Sequence, residues 1–399
     1  MSFDLPVPVL LAIMRLNQRG YDAYAVGGCV RDMLRGVTPH DYDICTACEP
    51  QEMHRCFADE RVVDTGVKHG TVTVFINGLS MEITSFRSDG DYLDGRHPSF
   101  VYFTTSLTED LQRRDFTINA MAYHPVTGLS DPFGGQEDLR RRLIRCVGDP
   151  EQRFTEDALR ILRAIRFAAQ LGFDVEESTA QAMHLHKERL AQISRERIAS
   201  ELIRAVTEAG AVPALGAFSD VLLSTLPGFT PMSMLAGLTV LEQLPPGDSV
   251  LRMAALLHSC EEPGLQTCLE SMHQSRAFQE DVLLLARHAR HSFAVEETAV
   301  MLSRFGEERL LKLLKLQQAC GVLSEQESVQ RKTRIRAAQA ANLPMSLREL
   351  PINGTDLEKM GLNGEQIGEA LQKLHLMVLR GQLPCDRASL IAWLIRQKD

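Results

Sequence analysis

From about residue 150 onward the sequence carries helical periodicity and no strand-type alternation. "EDALRILRAIRFAAQLGF", "SRERIASELIRAVTEA", "VLRMAALLHSC" and "EERLLKLLKLQQAC" each set apolar residues three and four apart, with breakers such as "LPPGD" and "ELPING" between them. Before that point two periods mix. "PVLLAIMRLNQRG" has helical spacing and stops at Gly20, and "YDAYAVGG" is a short strand running into glycines. "GTVTVFING" and "SMEITSF" alternate as a hairpin closed at Asn77-Gly78. A sheet therefore has room only in the first part of the chain. The expected class is α+β, a mixed-sheet N-terminal head followed by all-helical segments. With 399 residues, 44% of them apolar, the chain exceeds one core and can bury several.

Charge and cysteine content narrow the surroundings. A net charge of −9 argues against a polyanion binder along the whole sequence, while a local basic surface stays open because binding follows how charge is distributed. There is no apolar run of about 18 residues and no leader-type cleavage pattern at the N-terminus, so a cytoplasmic protein with no membrane partner is expected. Nine thinly scattered cysteines suit reduced thiols better than a disulfide framework. Cys45, Cys48, His54 and Cys56 have ligand types that could hold zinc, but their spacing fits no common finger, and free thiols are the better reading.

The chemistry begins at "AVGGCVRDMLRG". Gly27 and Gly28, between a strand and a helix opening near Val30, leave backbone N–H groups free for an anion, and Arg31 adds a charged fork. Alone, such glycines are often only a tight turn. The following "TPHDYDICTA" sets Asp41 and Asp43 two residues apart, on one face if the segment is a strand. Such a pair either repels itself or holds a cation. After an anion cradle, the second reading suits Mg²⁺ shared with a nucleotide triphosphate. Glu82, on a strand that could lie beside the first, is a candidate third carboxylate; an exposed strand position is the alternative.

Further along, "RRDFTINA" offers Arg114 for phosphates and Asp115 and Asn119 for sugar hydroxyls. "RFTEDALRILRAIRF" reads as one helix capped by Thr155, in which Arg160, Arg163 and Arg166 form a slanting row. Three arginines with no lysine suggest planar recognition of phosphates or base edges. Asp157 and Arg160, three apart, can present an acceptor beside a donor, which matches cytosine N4 with N3 and adenine N6 with N1, and opposes uracil and guanine. An internal salt bridge is the alternative.

"YAVGGCVRDMLRG", "DYDI", "HGTVTV", "RRDFTINAMAY", "DPFGGQEDLRRRLIRCVGDPEQRFTEDALRILRAIRFAAQLGF" and "ISRERIASEL", in this order, resemble class II tRNA nucleotidyltransferases, the CCA-adding enzymes. The later "INGTDLEKMGLNGEQIGEAL" looks like the tail of bacterial members. The resemblance implies a nucleotidyltransferase head over residues 1–145, a helical neck with the base-recognition helix over 146–205, a body over 206–320 and a tRNA-binding tail over 321–399. It also implies metal at Asp41 and Asp43, and nucleotide contacts at Gly28, Arg31, Arg114, Asp157, Arg160, Arg163 and Arg166. The expected reaction is attack of the tRNA 3′-OH on the α-phosphate of CTP or ATP. Addition of the terminal A alone, poly(A) addition and a non-catalytic RNA-binding role are the rivals. The acidic "DGDYLDGRHP" favours addition of the A.

Overall fold

The computed structural model describes residues 3–67, 70–89 and 101–397. The chain divides into two compact units, Met1–Pro227 with Ser271–His273, and Gly228–Glu270 with Gln274–Asp399.

The first unit holds a seven-stranded mixed sheet. Its strands are β1 (Ala23–Val26), β2 (Asp43–Thr46), β3 (Arg61–Gly66), β4 (Thr71–Ile76), β5 (Leu79–Ser85), and, after a separate ribbon of β6 (Arg87–Asp89) and β7 (Val101–Phe103), β8 (Ala122–His124) and β9 (Gly128–Ser130). The order across the sheet is β3-β4-β5-β2-β1-β8-β9. β2 and β5 run parallel, and the other neighbours are antiparallel. The hairpin forms where expected: Ile76 pairs with Leu79, and Asn77 and Gly78 have φ of 49° and 81°, the left-handed pair that a two-residue turn requires. Along it Val72, Val74, Ile76, Met81 and Ile83 are buried in one core with Val9, Ile13 and Leu16 of helix α1 (Val7–Gln18). Burial of alternate residues is what fixes the strand register.

α2 (Gly28–Leu34) and α3 (Pro50–Cys56) follow β1 and β2, and α4 (Leu107–Gln112) and α5 (Gly135–Arg141) flank the segment that carries Arg114 and Asn119. Beyond residue 150 the first unit is helical except for a two-residue strand, Asp174–Val175, paired with Leu143–Ile144.

The expected single helix over 153–167 is two. α6 (Pro150–Glu156) is capped by Asp149, whose side chain accepts from Glu151 N, with Pro150 in the first turn; Thr155 lies inside this helix and caps nothing. α7 (Leu159–Leu171) ends at Gly172 with φ 65°. Between them Asp157 is extended, at φ −145° and ψ 102°, and its Oδ1 accepts from Leu159 N at 3.0 Å. A carboxylate that captures the next N–H competes with helix propagation, and here it divides the helix. α8 (Glu177–His186) and α9 (Arg195–Thr207) complete the part of this unit that bears on the site.

The second unit is built of helices among its described residues. One self-contained core gathers Leu350, Ile352, Leu357, Leu374, Val378, Leu390 and Leu394. Of the expected inward row on the helix Glu365–Leu379, Leu374 and Val378 are buried, while Ile367 and Leu371 are partly covered at the edge of this core. Asn353 and Asp356 form a reciprocal cap for Gly354–Lys359, and Arg387 clamps Asp356 at 2.6 Å. Among the described residues no helix is long and apolar enough to cross a membrane.

Candidate active site

Three adjacent strands bring the acidic residues together. Val26, the last residue of β1, pairs with Asp43, the first of β2, and Asp43 pairs in parallel with Glu82 on β5. The glycine turn after Val26 and the carboxylates of Asp43 and Glu82 therefore share one end of the sheet. Asp41 precedes β2 rather than lying on it, and Tyr42 is buried between the two exposed aspartates. Asp41, Asp43 and Glu82 nevertheless line one groove of about 400 Å³, together with Thr73 and Ser80.

The electrostatics of the groove are unbalanced. Packing around Asp43, reinforced by the charges of Glu82 and Asp41 and opposed by Arg114, raises its carboxyl to about 6. An acid held that far above its ordinary value of 3.8, first by burial and then by neighbouring acids, marks a place where a cation is favoured. Among the described residues no three His, Cys, Asp or Glu side chains are gathered closely enough to enclose a metal ion. Open, hard oxygen donors of this kind suit a divalent cation that completes its shell with water and phosphate.

The helix begins at Gly28, two residues before the expected Val30, with Gly27 at φ 78°; the Gly27 N–H donates to Met121 O at 3.1 Å, so contrary to expectation it is not free for an anion. The Nη1 atom of Arg114 would lie 3.3 Å from a Cβ at Gly27, so this guanidinium sits directly against the turn. Arg31 is buried: it bonds Asp32, donates to Asn119 Oδ1 at 2.8 Å and lies 5.4 Å over the Phe167 ring.

Several expected contacts are taken up inside the protein. Asp115 is buried, its Oδ2 accepting from Arg163 at 2.6 and 2.9 Å, its Oδ1 from Phe116 N and the Asn119 side chain. Burial alone would raise its carboxyl, but Arg163 and Asn119 overcome this and hold it at about 2. Asp115 and Asn119 thus brace Arg163 and Arg31 in this state, with their sugar-binding atoms already engaged. Arg166 is likewise buried and paired with Glu201 at 2.5 Å, so it is a structural member of the row. The backbone N–H of Arg160 donates to Asp157 O at 3.0 Å, but their side chains are engaged elsewhere. Asp157 Oδ2 accepts from Arg197 at 2.8 Å, and Arg160 donates to Glu156 at 2.7 Å and to Arg113 O at 2.9 Å.

Glu156, Arg197 and Glu201 were not singled out in the sequence. Glu156 stands four before Arg160, a readable helical spacing, whereas Arg197 and Glu201 lie on α9 and only the packing of α9 against α7 reveals them. The cysteines assemble no ligand set. Cys48 and Cys56 pack in one core with their sulfurs 3.9 Å apart, Cys45 belongs to another, and His54 bonds Asp64 at the surface. Most of the acidic segment "DGDYLDGRHP" lies outside the described residues.

Comparison with known proteins agrees with this geometry. The model for the "Poly A polymerase head domain" matches residues 23–145, one for tRNA nucleotidyltransferase domain 2 matches 248–394, and one for an RNA and SrmB binding site of polymerase A matches 172–219. The CCA-adding enzyme of Levilactobacillus brevis is 37% identical over 98% of this chain and 97% of its own length, and that of Geobacillus kaustophilus is 35% identical over 98% and 97%. The crystal structure of the Bacillus stearothermophilus CCA-adding enzyme in complex with CTP superposes with a TM-score of 0.86 at 32% identity, covering 99% of this chain and 98% of that one. With a groove of three carboxylates beside a glycine turn, and similarity running the length of the chain, this protein belongs to the family of CCA-adding enzymes.

Proposed function

We infer that this protein adds CCA to the 3′ end of tRNA without a nucleic-acid template, using CTP and ATP, and that it does so in the cytoplasm. The observation that carries the reading is the convergence of the Gly27–Gly28 turn, Arg114 and the groove of Asp41, Asp43 and Glu82 at one end of the sheet. In this reading the turn and Arg114 take the triphosphate, with the backbone N–H of Gly28 and the guanidinium facing its oxygens. Asp41 and Asp43 would hold Mg²⁺, with Glu82 beside them. Mg²⁺, when bound, lowers the pKa of a hydroxyl on it and offsets charge on a pyrophosphate leaving group. The tRNA 3′ oxygen bonds to the α-phosphorus as its proton passes to solvent and the bond to the pyrophosphate oxygen breaks.

Asp157 and Arg160 read the Watson–Crick edge of the incoming base in this proposal. Both are engaged by protein groups without nucleotide, so binding exchanges the Arg197 and Glu156 contacts for base contacts. Arg163 lies near the same place, held by Asp115. We further propose that head, neck, body and tail divide near residues 145, 205 and 320, and that tRNA lies along the helical parts.

Three tRNAs, lacking CCA, CA or A, supplied with CTP and ATP separately and together, test the activity. Extension of all three to a full CCA end is expected. Extension of only the tRNA lacking A would replace the reading by A-addition alone, and long A tracts by poly(A) synthesis. Removing residues after Asn342, which deletes the self-contained core as a whole, is expected to weaken tRNA binding and flatten its salt dependence. Filter binding across a salt series reads both, and unchanged affinity removes the tail from the tRNA surface.

A further inference from the structure

Asp110 is the most deeply buried carboxylate near the site, with no solvent exposure, and the reading above leaves it without a role. It lies on α4, three and four residues before Arg113 and Arg114. Its Oδ1 accepts from Arg113 at 2.8 and 3.1 Å and from the backbone N–H of Arg87 at 3.3 Å, while its Oδ2 accepts from Arg114 at 3.1 Å. Arg114 in turn places its other terminal nitrogen, Nη1, against the Gly27 turn. One carboxylate therefore joins the start of the β6–β7 ribbon to the guanidinium that faces the glycine turn.

We propose that Asp110 is a positioning residue for triphosphate binding, holding one arm of Arg114 so that the other is aimed at the phosphates, and linking that aim to β6. The proposal rests on reading Arg114 as a triphosphate ligand. Two features support a role beyond filling the core. First, a buried acid shared by two arginines leaves the pair with a net positive charge, so the cluster stays attractive to an anion. Burial pushes the Asp110 carboxyl up, but Arg114 and Arg113 outweigh it and bring it below the usual value, keeping it ionised. Second, a flexible arginine fixed through one nitrogen loses less freedom when it binds, which strengthens its contact with a ligand. Phosphate contacts are common to CTP and ATP, so Asp110 acts on affinity for both and leaves base choice alone.

Asp110→Asn keeps the shape and removes the charge that orders Arg114. Titration calorimetry without tRNA should show CTP and ATP each binding roughly tenfold more weakly, the scale of a lost charged hydrogen bond, with CMP changed less than twofold. In steady state KM for both nucleotides should rise together while the CTP-to-ATP preference stays constant. A merely structural role predicts equal losses for CTP and CMP, and that outcome, or unchanged CTP binding, overturns the proposal. Arg114→Gln separates the two layers. If it leaves CTP affinity intact, the phosphate reading itself fails; if it weakens CTP and Asp110→Asn does not, only the positioning role fails. The unaltered protein supplies an independent arm should Asp110→Asn not fold: hydrogen exchange at the Arg87 amide should slow on adding CTP but not CMP. Equal protection by both, or none, refutes the link to β6.

Discussion

Asp43→Asn is expected to abolish nucleotide addition and, in the same protein, to raise the melting temperature of the metal-free state near neutral pH. The loss of activity should be roughly a thousandfold or more, the scale reached when a part that stabilises charge in phosphoryl transfer is removed. Single-turnover extension of a tRNA lacking CCA measures it, and turnover retained within tenfold would discard the metal-binding assignment. The stability gain follows from the same groove. Burial and the Glu82 and Asp41 charges raise the Asp43 carboxyl from 3.8 to about 6, so its ionised form is less favourable folded than unfolded. Below about 4 the group is neutral in both states and imposes no penalty. The penalty grows between about 4 and 6 and is complete above that. Because Asp43 is solvent-accessible along the groove, screening holds the effect to the order of 1 kcal/mol, a few degrees in melting temperature. The difference between wild type and variant should therefore close as pH falls through that window. Added Mg²⁺ should raise the melting temperature of the wild type and leave Asp43→Asn nearly unmoved. A variant less stable than wild type at neutral pH would show that the carboxylate is held by partners rather than strained by neighbours.

Asp157→Asn should relax the choice of nucleotide. An asparagine keeps the oxygen that caps α7 through Leu159 N, while its amide can turn an N–H toward a base carbonyl where the carboxylate could only accept. Discrimination against UTP and GTP should fall by about 1–3 kcal/mol per contact, roughly ten- to a hundredfold. Overall rate should fall too, since the α-phosphate is positioned partly through the base. Asp157→Ala would additionally remove the cap and the partner of Arg197, costing about 1 kcal/mol of stability by the first alone. Incorporation of all four ribonucleotides on a tRNA lacking CCA decides between the roles. Changed ratios mean that Asp157 reads the base. A uniform loss with unchanged ratios means that its pairing with Arg197 only holds α7 to α9.

These predictions depend on different levels of information. The α+β division, the hairpin at Asn77-Gly78 and the glycine turn at Gly27 were legible because each is written in local periodicity or in a backbone conformation that few residues adopt. Asp41 and Asp43 were legible as a pair for the same reason, being close in sequence whatever the fold. The placement of Glu82 beside them needed the parallel register of β5 on β2, which joins residues 39 positions apart. Helices α6 and α7 show the limit most clearly. Their arginine row has an unbroken helical pattern, yet Asp157 divides the helix by capturing Leu159 N, and the ion pairs of Asp157 and Arg166 go to Arg197 and Glu201 on α9. Periodicity specifies which face a side chain occupies. Which opposite charge meets it there is decided by the element packed against that face wherever, as for Asp157 and Arg166, the partner of a buried charge lies on another helix.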